Sequence, residues 1–304
     1  MTEPMLAKLG NEKDLTLKGF TFEEKLDGTR ALFHKTNSSF KLINRRGNDI
    51  THRYPEFNFL KNIKADSCLL DGEIVIFNEK GISEFNLLQH RDLLEDKTLI
   101  QERSKSMPAA YVVFDILKLN EKSLISLPQK ERFKILKKTI SKSSRFKIVT
   151  SSKNGKSLFK KLTSKGGEGV IAKNPEEKYH PGKRRNAWIK IKKSDTIDGI
   201  VVGYTQEKRK LSTLLLAAYS NSKLRYIGKV GTGFSEKEQS EIYKKLKSIE
   251  IDKPKIEGLP KSAIFVKPKI IIEAKYLEIT KDKKMRAPVF VKLRTDKKLK
   301  DCII

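Results

Sequence analysis

The stretch Glu23-Glu24-Lys25-Leu26-Asp27-Gly28-Thr29-Arg30 sets a lysine between two acids just before a glycine turn. In an extended strand successive side chains alternate faces, so Glu23, Lys25 and Asp27 are expected on one face and Phe22, Glu24 and Leu26 on the other. Lysine is a poor nucleophile at its free pKa of about 10.4. A covalent role needs nearby cations, a metal or desolvation to expose the free amine, and two flanking acids alone push the other way. Taken by itself, the stretch also describes a surface strand with a charged face.

Outward from it, the first two thirds of the chain alternate strand-like and helical runs. Strands are expected at Thr21–Lys25, Ala31–His34, Phe40–Ile43, Cys68–Phe77, Ala110–Leu117, Gly169–Lys173 and Trp188–Lys192, which are rich in β-branched and aromatic residues. Helices are expected at Ser83–Leu94, Gln129–Ile140 and Lys156–Thr163, the last closed by Gly166-Gly167. From about Ser194 the pattern turns to strands at Ile197–Tyr204, Leu214–Tyr219, Arg225–Val230, Ile264–Val266, Ile270–Ile279 and Val289–Arg294. Among them lies one helix, opened by a capping box of Ser235 and Glu238 and carrying an apolar face of Ile242, Tyr243, Leu246 and Ile249. The expected fold is therefore α+β: a mixed domain over residues 1–193 and a small β-barrel of the OB-fold kind over 194–304, with a hinge near Lys193–Thr196.

The 304 residues suit two domains, each with its own core. A 38% apolar content rules against disorder, and the longest obvious apolar run, Leu214 to Ala218, is far short of a membrane span. Met1-Thr2-Glu3-Pro4 has neither the charge nor the apolar run of a secretory signal. Two cysteines, Cys68 and Cys302, are too few for a disulfide framework or a four-cysteine zinc site, so a reducing cytoplasm is expected. With 65 Lys and Arg against 37 Asp and Glu, the net charge of +28 favours a polyanionic partner, nucleic acid before an anionic membrane. A lysine-rich proteome would produce the same surplus.

Other segments bear chemistry. Glu73, in Leu70-Asp71-Gly72-Glu73-Ile74-Val75-Ile76, and Glu168, before Gly169-Val170-Ile171-Ala172-Lys173, each place a carboxylate in apolar surroundings, where an unpaired charge is costly. Two such groups suit a hard divalent ion that bridges phosphate oxygens, although each also fits a strand edge. Trp188-Ile189-Lys190-Ile191-Lys192 points both lysines one way, as a phosphate clamp or as the basic face of a half-buried strand. His34, His52, His90 and His180 show no metal-ligand spacing.

Together these segments resemble the nucleotidyltransferase motifs of the ATP-dependent DNA ligase superfamily. The Lys-x-Asp-Gly-x-Arg motif matches Lys25, Asp27, Gly28 and Arg30; then follow Asn44-Arg45-Arg46-Gly47, Asp71-Gly72-Glu73, Tyr111-Val112-Val113-Phe114-Asp115, Glu168 to Lys173, and Trp188 to Lys192. Arg286-Ala287-Pro288-Val289-Phe290-Val291-Lys292-Leu293-Arg294-Thr295-Asp296-Lys297 matches the C-terminal motif. One motif alone is weak, whereas the ordered set is specific. Pro4 to Leu9, Phe85 to Gln89, Tyr179-His180-Pro181-Gly182-Lys183-Arg184, Gly203 to Thr205 and Gly228 to Phe234 bring the likeness closer to the ligase domain of bacterial ligase D, which serves non-homologous end joining.

The resemblance implies an enzyme that uses ATP and a divalent metal, Mg or Mn, to seal breaks bearing a 3′-hydroxyl and a 5′-phosphate. It assigns Lys25 as the AMP-accepting nucleophile, with Asp27, Arg30, Lys190 and Lys192 also catalytic, the two lysines at phosphate-binding positions. Glu73 and Glu168 fall at metal or ribose positions, Phe114 stacks on adenine, Glu23 reads the adenine amine, and Arg30 and Arg45 hold the nick phosphate or a nearby sugar. Arg286, Arg294, Asp296 and Lys297 belong to the motif that family members swing over ATP during self-adenylation. Asn44, Ala287 and Thr295, and Thr29 beside Arg30, depart from usual family residues. The implied partners are nicked or broken double-stranded DNA, a Ku-type end-binding protein and separate polymerase and phosphoesterase proteins. A monomer in a prokaryotic cytoplasm, at the nucleoid, and repair by end joining are expected. An RNA ligase or capping guanylyltransferase shares Lys-x-Asp-Gly, and a non-catalytic nucleic-acid-binding protein would share the charge.

Overall fold

In the computed structural model, which describes residues 3–207, 210–260, 262–280 and 282–304, contacts divide the chain into two units, Met1–Lys192 and Lys193–Ile304. The division falls one residue before the expected boundary. Lys281, within the basic cluster Lys281–Arg286, and Met1-Thr2 at the N-terminus lie outside the described residues.

In the first unit, runs rich in β-branched and aromatic residues form strands, while longer charged runs with apolar residues three or four apart form helices. The elements are β1 (Leu6–Leu9), β2 (Thr21–Glu24), β3 (Thr29–Thr36), β4 (Ser39–Asn44), β5 (Ser67–Val75), α1 (Phe85–Asp92), α2 (Lys97–Ser106) and β6 (Ala110–Leu119). They continue with β7 (Lys122–Ser123), α3 (Gln129–Thr139), β8 (Phe146–Ile148), β9 (Ser151–Ser152), α4 (Gly155–Thr163), β10 (Gly169–Lys173) and β11 (Arg184–Lys192). The helix α2 was not expected. Its sequence is nearly all polar, only Ile100 and Ser104 are buried, and it is started by the Asp96 carboxylate accepting from Leu99 N–H.

These strands make two sheets, ordered β1-β11-β10-β2-β9 and β4-β3-β5-β6-β7 with β8 against β6. Pairing is antiparallel except for β1 with β11 and β6 with β8. Helix α4 covers one face of the first sheet with Leu158 and Leu162 over Phe22, Val170 and Ile191. Leu32 and Leu117 from the second sheet pack with Ala187 and Trp188 from the first, so an apolar seam joins them. Two glycines permit close approach of neighbouring chain segments. A Cβ on Gly28 would stand 2.1 Å from the Ile74 carbonyl oxygen, and one on Gly169, whose φ is +142°, would stand 2.1 Å from that of Ile191.

The second unit comprises β12 (Asp195–Thr205), β13 (Thr213–Ser220), β14 (Lys223–Val230), α5 (Glu236–Lys247), β15 (Glu250–Ile251), β16 (Ile264–Tyr276), β17 (Glu278–Ile279), β18 (Met285–Arg286) and β19 (Val289–Leu293). The Ser235–Glu238 capping box forms as expected. Two expected strands merge into β16, because Pro268, which lacks an N–H, sits where the register with β12 shifts and the ladder is already interrupted. The sheet runs β14-β13-β12-β16-β15 with β19 also on β16. Among the described residues its ladder stays open at the ends, so the expected OB-fold domain is present as a sheet packed on α5 without a fully closed barrel. Val201, Leu216 and Ile272 face Ile242 and Leu246 of α5, while Ile200, Leu215 and Ile271 on the other side pack with Cys302, Ile256 and Leu259.

Candidate active site

Strand β2 ends at Glu24, so the face expected for Glu23, Lys25 and Asp27 forms only in part: Glu23 and Lys25 line one cavity and Asp27 caps α1. The three side chains go to three partners because the strand stops where Gly28 lets the chain turn against β5. Lys25 N–H still bonds the Gly169 carbonyl at 3.0 Å, which brings its side chain to Glu168. The Lys25 ammonium donates to Glu168 Oε2, and Lys192 pairs with Oε1. Burial alone would raise the Glu168 pKa, but Lys25 and Lys192 outweigh it and hold the carboxylate below its ordinary value. Lys190, on the same face of β11 as Lys192, is pushed down by burial and by the charges of Lys192, Lys25 and Arg184. The expected lysine pair is therefore part of a cluster of cations gathered about one carboxylate.

Lys25 lines a half-open cavity of about 120 Å³ together with Glu23, Arg30, Glu73, Phe114 and Lys173. Glu23 pairs through Oε2 with Lys173 at 2.6 Å, both side chains being almost fully buried, while its Oε1 is buried with no hydrogen-bond partner. An acceptor left bare beside a cavity is costly unless a ligand donor meets it. Burial raises the Glu23 pKa against the pull of Lys173. The Lys173 ammonium also lies 4.7 Å from the Phe114 ring centroid and 4.3 Å from that of Trp188, within cation–π range. Sequence reasoning gave Lys173 no role. The signal was there, in a lysine ending the otherwise apolar strand Gly169–Lys173.

Glu73 reaches the cavity from β5, and burial pushes its carboxyl up to about 8 despite Arg30 and Lys25. Two residues earlier, Asp71 is fully buried and takes Arg30 in a fork, Nε to Oδ1 at 2.9 Å and Nη2 to Oδ2 at 2.6 Å. Arg30 Nη1 donates to the Met5 carbonyl at 2.6 Å. Tyr179 closes this network, and neither it nor Asp71 was assigned a function from sequence. Burial alone would lower the Arg30 pKa; Asp71 reverses that and keeps the guanidinium charged. Glu24, on the opposite face of β2 from Glu23, has its pKa raised by burial against the distant pull of Lys147, and its Oε1 is also buried without a partner.

Asp27 accepts from the Phe85 N–H at 3.1 Å and so caps the start of α1; its pKa is raised by burial. Arg45 is exposed on the turn after β4, which Asn44 builds by accepting from the N–H groups of Arg46 and Asn48. Residues of the C-terminal motif form ion pairs in the second unit. Arg294 bonds Asp296 twice at 2.8 Å and pairs with Asp198 at 2.8 Å and Glu273 at 3.2 Å. Lys297 lies 3.9 Å from Asp198, and Arg286 pairs with Glu278.

Comparison with known proteins bears on this arrangement. Residues 4–192 match the family model for the ATP dependent DNA ligase domain, and residues 207–297 match that for the ATP dependent DNA ligase C terminal region. The chain is 30% identical over 306 residues to the multifunctional non-homologous end joining protein LigD of Mycolicibacterium smegmatis, covering 97% of this chain and 38% of that protein. It is 32% identical over 307 residues to a DNA ligase of Sulfolobus acidocaldarius, covering 92% of this chain and 50% of the other. The chain thus spans about half or less of the length of these relatives. The crystal structure of the ligase domain from M. tuberculosis LigD matches with a TM-score of 0.56 and 27% identity, covering 100% of this chain and 98% of that one. With the two family models matching residues 4–192 and 207–297, and with Lys25, its carboxylate partner and the adjoining cavity inside the first matched region, the chain belongs to the family of ATP-dependent DNA ligases.

Proposed function

We propose that this protein is itself an ATP-dependent DNA ligase that seals breaks between a 3′-hydroxyl and a 5′-phosphate. The observation that carries the reading is Lys25, held by Glu168 at the edge of a cavity in which Glu23 Oε1 is buried and unpartnered. That bare acceptor fits the exocyclic amine of adenine, and Phe114 offers an aromatic wall beside it.

The chemistry follows in three transfers. Deprotonated Lys25 Nζ attacks the α-phosphorus of ATP; an N–P bond forms, the α–β anhydride breaks and pyrophosphate leaves. A 5′-phosphate oxygen of DNA then attacks the same phosphorus, which breaks the N–P bond and yields an AMP–DNA anhydride. Finally the 3′-hydroxyl loses its proton and attacks the 5′-phosphorus, forming the phosphodiester and expelling AMP. Phosphoryl chemistry of this kind depends mostly on positioning and on neutralising charge. Lys190, Lys192 and Arg30 supply fixed cations for that purpose, and Glu168 orients Lys25 before reaction.

Glu73 and Glu168 are the residues that would hold a divalent cation. Both oxygens of Glu168 already meet ammonium groups, so the donor set suits an ion that keeps most of its water and binds one or two carboxylates plus phosphate oxygens, as Mg²⁺ does. Such an ion supplies additional neutralisation of the polyphosphate. Arg45, Arg286, Arg294, Asp296 and Lys297 are assigned to DNA or polyphosphate contacts on the family pattern.

The cellular role we propose is repair of double-strand breaks by non-homologous end joining, with a Ku-type protein and separate end-processing enzymes. It is supported by the likeness to LigD, while archaeal DNA ligases match at a similar identity. The test is intact mass after incubation with ATP and Mg²⁺ or Mn²⁺, followed by nicked DNA. One added AMP that disappears as sealed DNA forms supports the reading; absence of the adduct, or sealing confined to RNA strands, overturns it. Joining of blunt or cohesive ends that rises with an added Ku-type protein supports the repair role.

A further inference from the structure

We propose that the Tyr179 hydroxyl is a positioning group that sets the orientation of Arg30 at the cavity, an inference that rests on the ligase reading of that site. The stretch from Tyr179 to Arg184 stood out in the sequence without a role. In the structure the Tyr179 hydroxyl is fully used: it donates to Asp71 Oδ2 at 2.7 Å and accepts from the Met5 N–H at 2.8 Å and from Arg30 Nη2 at 3.3 Å. Asp71 receives two N–H groups of Arg30, and the Met5 carbonyl receives another. One hydroxyl therefore ties together both anchors of the guanidinium, a carboxylate on β5 and the main chain just before β1. A guanidinium has five N–H donors in a rigid fork. Three go to Asp71 and Met5 and a fourth to Tyr179, which leaves one for a ligand oxygen, and the plane that aims it is fixed by the network.

The ring is held independently of its hydroxyl. It meets Trp188 edge-on at 5.7 Å, and the guanidinium of Arg132, itself forked onto buried Asp115, lies 5.6 Å from its centroid. Tyr179→Phe therefore removes the hydroxyl and keeps the packing. In that variant Asp71 loses a donor and the Met5 N–H loses its acceptor, so Arg30 gains alternative orientations while the cavity wall stays in place.

Single-turnover rates for Lys25 adenylation, DNA adenylation and sealing test this in wild type, Y179F, R30K and the double variant. Y179F is expected to slow the step that R30K slows, by about 3- to 10-fold, the worth of one hydrogen bond. The other steps stay within about twofold, Tm falls by a few degrees for the unpaired Met5 N–H, and the double variant is no slower than R30K alone, as expected for residues acting as a unit. In a protein with ¹⁵N-labelled arginine, hydrogen exchange at Arg30 Nε also accelerates in Y179F, a readout available even where R30K is inactive. Equal slowing of all steps, full multiplication of the two losses, or unchanged exchange at Arg30 overturns the proposal. Failure of the wild type to take up AMP overturns the ligase reading instead.

Discussion

Lys25 and Glu168 meet as an ion pair although 143 residues separate them along the chain. The pair separates charge from chemistry. Lys25→Arg retains a cation opposite Glu168, yet arginine stays protonated and is no nucleophile. The variant is expected to fold with a Tm close to wild type and to show no AMP adduct by intact mass. An adduct that persists in this variant would place the nucleophile elsewhere.

Lys173 and Glu23 make a second pair, nearly removed from solvent. Deleting one partner of a buried pair strands the other charge, at a cost of about 3–5 kcal/mol. Lys173→Met is expected to lower the urea-derived unfolding free energy by that amount, and adding Glu23→Gln should restore much of it. The double variant should still bind ATP less well, because a neutral amide that also carries N–H donors replaces the carboxylate facing the cavity. Equal stability of Lys173→Met and wild type would refute the pairing.

Glu24 provides a pH test whose sign is fixed by burial. Its native pKa is raised, so the folded state prefers the protonated form, and the wild type loses stability as pH climbs from the ordinary value of about 4.5 through the native one. Gln has no such loss. Glu24→Gln is expected to raise Tm at pH 7.5, and the gap should close as pH falls below 4.5. A gap that is constant with pH would mean that ionisation of Glu24 is not its source.

Salt dependence tests the surplus of cations. If six to ten phosphates are contacted, the plot of log affinity for nicked duplex DNA against log salt should have a slope of about −5 to −9. A nearly flat plot would show that the +28 charge is not spent on DNA.

The sequence made legible whatever has a local signature. β10 falls on the residues expected, Gly169–Lys173, and the Ser235–Glu238 box starts α5 as its spacing requires. The cluster about Lys25 was legible only as a set of ordered motifs, because nothing in the neighbourhood of Glu168 says that it will face β2. Asp71, Tyr179 and Lys173 escaped for a related reason. Asp71 and Lys173 are polar side chains in apolar strands and Tyr179 lies in the loop between β10 and β11, and the partner of each comes from a different strand or loop. Helix α2 escaped because it has almost no apolar face to read.

The order of strands in the first sheet differs from their order in the chain, since β2 lies between β10 and β9. A chain growing from its N-terminus exposes Lys25 early, but the residues that pair with it, sit above Glu23 and close the sheet are added last. Contacts of such long range form late and slowly. A partly synthesised chain thus carries Lys25 without Glu168 and Glu23 without Lys173, and both ion pairs form only as the first unit nears completion.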